Sequence, residues 1–364
     1  MTKQNNFSKL DKYMNLDKSG PTDLQWHSPS SNIFRITGFP WYEQDKKYRR
    51  LPVAPRFKIP EPVNILADCT AGGQISFQTD STHISIRAEV SGKANMNHMP
   101  ATGQCGFDLY VGLPCAQRFH NVTKFALSAS SYEVLLFDHP EKVMRNFTIN
   151  FPLYTGVKEL YIGLDPDANN APPLPWEEDG KIVIYGTSIT QGGCASRPGM
   201  AFTNILSRLL NVEVINLGFS GNGRGEPEVI ELMADIPSPK LLILDYHANA
   251  AGKLKQTLPV AMQILRKRHP EVPILMVSRI AYAKDATHPT SIATREEGHD
   301  IYTRVLEQMQ SAGDSEVFFV DGTNLLGSDY DECTVDGVHP SDLGFMRIAR
   351  GLEPEILKIM EKKR

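Results

Sequence analysis

The chain has 364 residues, of which 41% are hydrophobic and 22% charged, with a formal net charge of −4. That length predicts about two domains with ordinary globular cores. The charge gives no basic footprint for nucleic acid, and no apolar run approaches the ~18 residues of a membrane span. Cys69, Cys105, Cys115, Cys194 and Cys333 are an odd set at irregular spacing, read as free thiols and as neither a disulfide framework nor a metal site. The polar N-terminus lacks the apolar stretch of a secretory signal, so the chain is expected in the cytoplasm unless a signal has been removed.

Residues 1–28 read as an N-terminal arm. Short runs with a period of two then follow, at 74–77, 83–88, 106–111, 133–137, 145–149 and 159–162. Alternation broken by turn residues at short intervals predicts an all-β sandwich or barrel, and domain limits of 29–176 are expected for it. The stretch 165–180, rich in Pro, Asn and acid, reads as a boundary. The rhythm then changes, and 177–364 is expected as a second domain. Apolar strands at 181–185, 213–217, 241–245, 274–278 and 317–320 alternate with helices near 198–210, 226–235, 254–268, 295–311 and 341–360. The strands are runs of Val, Ile, Leu and Phe with little alternation, as parallel strands covered on both faces require. Five strand–helix units predict an α/β fold with a doubly wound parallel sheet.

Ligands of such sheets bind beyond the carboxyl ends of the strands. Ser188 follows the first strand there, Gly221 the second and Asn249 the third, while Asp336 and His339 follow the fifth. A serine hydroxyl is a weak nucleophile until a neighbouring imidazole takes its proton. His339 is the candidate base, and Asp336, three residues earlier, can reach its Nδ1–H and fix the tautomer. The backbone N–H groups of Ser188 and Gly221 and the amide of Asn249 are candidate oxyanion donors. Each signal alone has a plainer reading: a helix cap for Ser188, a surface turn for the DxxH, a left-handed glycine for Gly221 and a turn residue for Asn249. Their joint occurrence at strand ends, in this order, favours the catalytic one. Position 190 is Thr, so the GxSxG elbow is absent.

Other residues are open to two readings. Arg197 either orients a polar substrate or sits in the first helical turn behind a Ser196 cap, and Arg224 is similar. His247 either touches a leaving group or is a hydrogen-bonded structural histidine. Asp108 and Tyr110 either belong to a strand with one face in the core or lean over the serine to shape a substrate pocket. His288 is expected in a solvent-facing loop, and what Trp41 and Tyr42 cover is left open.

These motifs resemble the SGNH (GDSL-like) hydrolase family, whose four blocks contribute Ser, Gly, Asn and His in that chain order. Gly186-Thr187-Ser188, Gly218-Phe219-Ser220-Gly221-Asn222, Asp245-Tyr246-His247-Ala248-Asn249 and Asp336-Gly337-Val338-His339 match them. Thr187 and Ala250 stand where the family carries Asp. The stretches 186–199 and Gly106-Phe107-Asp108-Leu109-Tyr110 resemble a bacterial subgroup with a β-sandwich bearing a GxDLY motif ahead of the hydrolase domain. The resemblance implies a flavodoxin-like three-layer α/β/α domain preceded by a jelly-roll-like sandwich. It implies a serine esterase acting on O-acetyl or short acyl esters of a sugar or small metabolite, with no cofactor and no metal. The same triad with an acceptor alcohol would be an acyltransferase, and an inert one would leave a carbohydrate-binding protein.

Overall fold

The computed structural model describes residues 11, 15–16, 19–177, 179–250 and 252–362. Of the expected arm, 1–10, 12–14 and 17–18 lie outside these residues, and its end is a strand. The first half runs β1 (Gln25–His27), β2 (Arg35–Thr37), α1 (Tyr42–Asp45), α2 (Glu61–Leu66), β3 (Gln74–Thr79), β4 (His83–Val90), α3 (Ala101–Cys105), β5 (Asp108–Val111), β6 (Arg118–Val122), β7 (Ser131–Asp138), β8 (Arg145–Asn150), β9 (Val157–Leu164) and β10 (Asn170–Ala171). These strands make two antiparallel sheets, β1-β9-β4-β7 and β10-β3-β8-β5-β6, with β2 also paired to β3. Alternation puts Ile75, Phe77, Leu109, Phe147 and Ile149 of one sheet against Ile84, Ile86, Val134, Leu136 and Ile162 of the other in one core. That shared core makes the pair a sandwich.

The second half runs β11 (Lys181–Gly186), α4 (Ser188–Gln191), α5 (Phe202–Leu210), β12 (Glu213–Gly218), α6 (Pro227–Ala234), β13 (Pro239–Asp245), α7 (His247–Ala250), α8 (Leu254–Arg268), β14 (Ile274–Val277), α9 (Pro289–Ser311), β15 (Val317–Val320) and α10 (Asp342–Glu361). The strands are all parallel, in the order β12-β11-β13-β14-β15. Numbered within this half the order is 2-1-3-4-5, the flavodoxin-like arrangement with its switch point between the first and third strands. Residues of α6, α8 and α9 share one core with the sheet, and those of α5 and α10 share another on the opposite face. Both faces are therefore covered, which is why Ile182, Val183, Ile184 and Tyr185 are all fully buried. Among the described residues no helix is long and apolar enough to cross a membrane.

Two helices differ from expectation. The one expected over 198–210 is a 3₁₀ turn, Pro198–Met200, followed after Ala201 by α5. The one expected from 295 begins at Pro289, where a fixed φ and a missing N–H suit the first helical position. His288 is thus the residue before a helix, and it is exposed.

The outward face of the sheet holding β3, β5 and β8 does not meet water. Gln74, Ser76, Asp108, Thr148 and Asn150 lie on it and are buried. That polar layer is closed by the second half: Ser207 of α5 donates to Gln74 at 3.4 Å, and the Gly199 N–H donates to Asp108 at 2.7 Å. Trp41 packs against a core of the α/β half, and Tyr42 stacks on Tyr48.

Candidate active site

Ser188 begins α4, directly after Thr187, whose hydroxyl accepts from the Ile189 N–H. Its side chain is nearly buried, and Oγ lies 2.9 Å from His339 Nε2. His339 Nδ1 lies 2.7 Å from Asp336 Oδ2. The other carboxylate oxygen accepts the backbone N–H groups of His339 at 2.8 Å and Val338 at 3.1 Å. Burial alone would raise the Asp336 carboxyl. The donors from His339 and Val338 outweigh it and hold the group below the usual range. The turn that carries both residues is tied at its base by Val335 N–H to His339 O at 2.8 Å and Ser341 N–H to Cys333 O at 2.8 Å. Ala283 N–H reaches Gly337 O at 2.9 Å, anchoring the turn to the loop after β14. A hydroxyl, an imidazole and a carboxylate in this chain can move a proton from serine to histidine while the carboxylate holds the ring.

Gly221 has φ +66°, a left-handed turn that a side chain would strain, and a Cβ there would meet nothing within 4 Å. It is exposed, in the loop after β12. Asn249, in α7 after β13, donates its amide to Asn222 O, so the second and third loops are hydrogen-bonded to each other. The Ser188 and Gly221 N–H groups have no protein acceptor among the described residues.

The sandwich supports these loops from behind. Arg50, fully buried, donates to Cys69 O (2.7 Å), Leu66 O (2.6 Å), Asn216 O (3.3 Å) and Gly218 O, and lies over the Phe219 ring. Burial pulls this guanidinium down to about 10. Gln191 donates to Leu153 O at 3.1 Å and accepts the Ser220 N–H at 3.0 Å. Tyr154 OH reaches Ser188 O at 3.5 Å. Arg50 and Tyr154 were not found by sequence reasoning, because nothing in their spacing marks them.

The three residues considered for substrate contact are engaged elsewhere. Arg197 donates to Asp108 at 3.2 Å and to the Tyr110 hydroxyl, and its guanidinium lies over the Phe119 ring. Burial works against its charge, but Tyr110 and Asp108 prevail and raise it. Tyr110 is buried, with Arg208 stacked over its ring. Arg197 and Tyr110 therefore join the two halves, and Asp108 bonds Arg197 and Gly199 in place of shaping a pocket. Ser196, considered as a helix cap, donates instead to Asp342 of α10. His247 is buried under α9, its Nδ1 accepting the Arg279 N–H at 3.1 Å. A Cβ on Gly298 would fall 2.0 Å or less from its ring, so helix and imidazole are in direct contact. Burial and Arg279 push His247 down to about 4, which fits a neutral structural histidine. Arg224 is exposed and donates to Gly221 O at 2.8 Å.

Sequence spacing shows no metal-binding set, yet the fold brings His98, Cys194, Asp336 and His339 together at the end of the serine's hydrogen-bond chain. Burial and Asp336 push the Cys194 thiol up to about 12.

Comparison with known proteins agrees with this architecture. The profile of the GDSL-like lipase/acylhydrolase family matches residues 179–357, and that of the GxDLY N-terminus of SGNH-hydrolase-type esterases matches residues 24–169. A GDSL-like lipase structure from Bacteroides ovatus superposes with a TM-score of 0.85 at 30% identity, covering 93% of this chain and 98% of that one. The salicylyl-acyltransferase SsfX3 from a tetracycline biosynthetic pathway superposes with a TM-score of 0.70 at 18% identity, over 93% of this chain and 98% of that one. A family two carbohydrate esterase from Cellvibrio japonicus gives 0.58 at 15% identity, over 93% and 99%. The last two show a shared fold. Comparison with curated proteins gives no match. The chain belongs to the GDSL-like lipase/acylhydrolase family of SGNH-type esterases and is an enzyme acting on ester bonds.

Proposed function

We propose that the chain is a serine esterase that removes O-acetyl or other short acyl groups from a sugar or small metabolite through an acyl-enzyme. The observation that carries this reading is the pair of contacts Ser188 Oγ–His339 Nε2 at 2.9 Å, between residues 151 apart in sequence, and His339 Nδ1–Asp336 Oδ2 at 2.7 Å. Ser188 attacks the ester carbonyl as His339 takes its proton, and Asp336 steadies the imidazolium. The Ser188 and Gly221 N–H groups and the Asn249 amide receive the oxyanion. His339 then protonates the leaving alcohol and, in the second half-reaction, draws the proton from the attacking water. Gly221 borders open space, which suits approach of a polar acylated molecule from solvent. The fold shared with carbohydrate esterases is in keeping with an acylated sugar.

The test is hydrolysis of p-nitrophenyl esters of increasing chain length and of acetylated sugars by the wild-type chain and Ser188→Ala. The expected result is short-chain hydrolysis and fluorophosphonate labelling in the wild type. Both are expected to be lost in Ser188→Ala with an unchanged melting temperature. Full activity in Ser188→Ala would remove that residue from the role. An acylated alcohol as the main product, with acceptors supplied, would identify transfer in place of hydrolysis.

A further inference from the structure

His98 and Cys194 stand outside the hydrogen-bond chain from Ser188, yet both close on its far end. His98 comes from the sandwich loop before α3, and its Nε2 lies 3.9 Å from Asp336 Oδ2. Its ring meets the His339 ring edge-on, with centroids 5.9 Å apart. Its other nitrogen, Nδ1, is buried without a hydrogen-bond partner among the described residues. Cys194 is a buried free thiol six residues after Ser188. One donor atom each from His98, Cys194, Asp336 and His339 lies within 4.8 Å of the other three.

Tetrahedral zinc holds nitrogen and oxygen ligands at about 2.0–2.2 Å and sulfur at about 2.3 Å, so its ligand atoms stand roughly 3.3–3.8 Å apart. The widest separations here must close by about 1 Å and the 2.7 Å His339–Asp336 contact must open by about 0.6 Å, both within reach of small side-chain rotations. A thiolate, two imidazoles and a carboxylate form the borderline-soft donor set that zinc favours. A cleft of about 680 Å³, open to solvent and lined by His98, Met99, Cys194, Val335 and Leu343 among others, gives an ion a route in.

We infer that His98, Cys194, Asp336 and His339 bind a zinc ion that switches the esterase off. The switching, though not the binding, rests on His339 being the base. The nitrogen on the Asp336 side is Nδ1, and for His339 to act as the base that nitrogen must carry the ring proton, leaving the Nε2 lone pair for Ser188. Zinc on Nδ1 displaces that proton to Nε2, and the Cys194 thiol proton passes to bulk water. One zinc ion enters, one proton leaves, and nothing is oxidised or reduced. With Nε2 protonated, no lone pair remains to accept the proton of Ser188, and Asp336 is drawn to the metal. The serine and the fold are untouched, so a chelator restores activity.

The test titrates zinc sulfate into p-nitrophenyl acetate hydrolysis by the full chain in a non-chelating buffer, then adds EDTA. Cys194→Ser and His98→Gln are treated alike, each rate read against its own zinc-free rate. The expected result is wild-type inhibition at micromolar zinc, reversed by EDTA, with each variant requiring about tenfold more zinc or beyond. Cobalt(II) alone gives a readout without turnover: a thiolate-to-cobalt charge-transfer band in the wild type and in Ser188→Ala, absent from Cys194→Ser. Equal zinc sensitivity in all three chains, or no such band, overturns the proposal. A chain that shows the band but hydrolyses no ester would sink the esterase reading and leave the metal site standing.

Discussion

The α/β half presents Ser188, Gly221, Asn249, Asp336 and His339 from loops at one edge of a parallel sheet, while the sandwich presents Arg50 and Tyr154 from beneath those loops. In the proposed reaction the first group would meet the substrate, whereas the second is bonded to backbone. Arg50 holds the carbonyls of Asn216 and Gly218, and Tyr154 reaches that of Ser188. On that proposal the two halves divide the work, one carrying the reacting groups and the other fixing the loops that hold them. This explains why the buried polar layer between them, with Arg197, Asp108 and Tyr110 at its centre, is built of directional bonds. An apolar interface would let the halves slide, whereas directional bonds hold a register.

The division predicts opposite responses to substitution. Asp336→Asn keeps the oxygen that accepts the His339 and Val338 N–H groups but no longer fixes the tautomer of His339. The expected result is a loss of about 10⁴ in kcat with little change in melting temperature. A large fall in stability would move Asp336 into the structural group.

Arg50→Met tests the other side. It leaves up to four buried carbonyls short of a donor. The expected cost is on the order of 3 kcal/mol of stability, with kcat falling only about tenfold as the Gly218–Gly221 loop loosens. Denaturant melts paired with kinetics read both effects. Loss of activity without loss of stability would place Arg50 among the reacting groups.

An effect that shows only as a function of pH belongs to Asp245, which sits in the α/β half but is engaged by Thr190 at 2.8 Å. Burial raises its carboxyl to about 7, against the pull of the Thr190 hydroxyl. The fold therefore favours the protonated form. That contribution is full below the unfolded value of about 3.9 and is lost as pH rises through about 7. Between these limits the stability of the wild type should fall relative to Asp245→Asn, and above them the difference should level off. Melting temperatures of both chains across this range check it, and a constant difference would show that folding leaves the Asp245 carboxyl where it stands in the unfolded chain.

The sequence by itself determined the periods of the two halves. A period of two follows from one face of each sandwich strand being in a core, as at Ile75, Phe77, Phe147 and Ile149. Continuous apolar runs follow from a parallel sheet covered on both sides, as at 182–185. Strand ends in such a sheet share one edge, so the sequence alone leads to the expectation that Ser188, Gly221, Asn249, Asp336 and His339 lie along it. Only the tertiary structure decided what met across the interface. Whether Tyr110 and Arg197 touch a substrate or each other, whether His247 faces a pocket or the underside of α9, and whether His98 comes up to Asp336 all depend on how two separately patterned halves dock. Docking is set by non-local contacts between side chains far apart in sequence, and these leave no periodic trace in either segment.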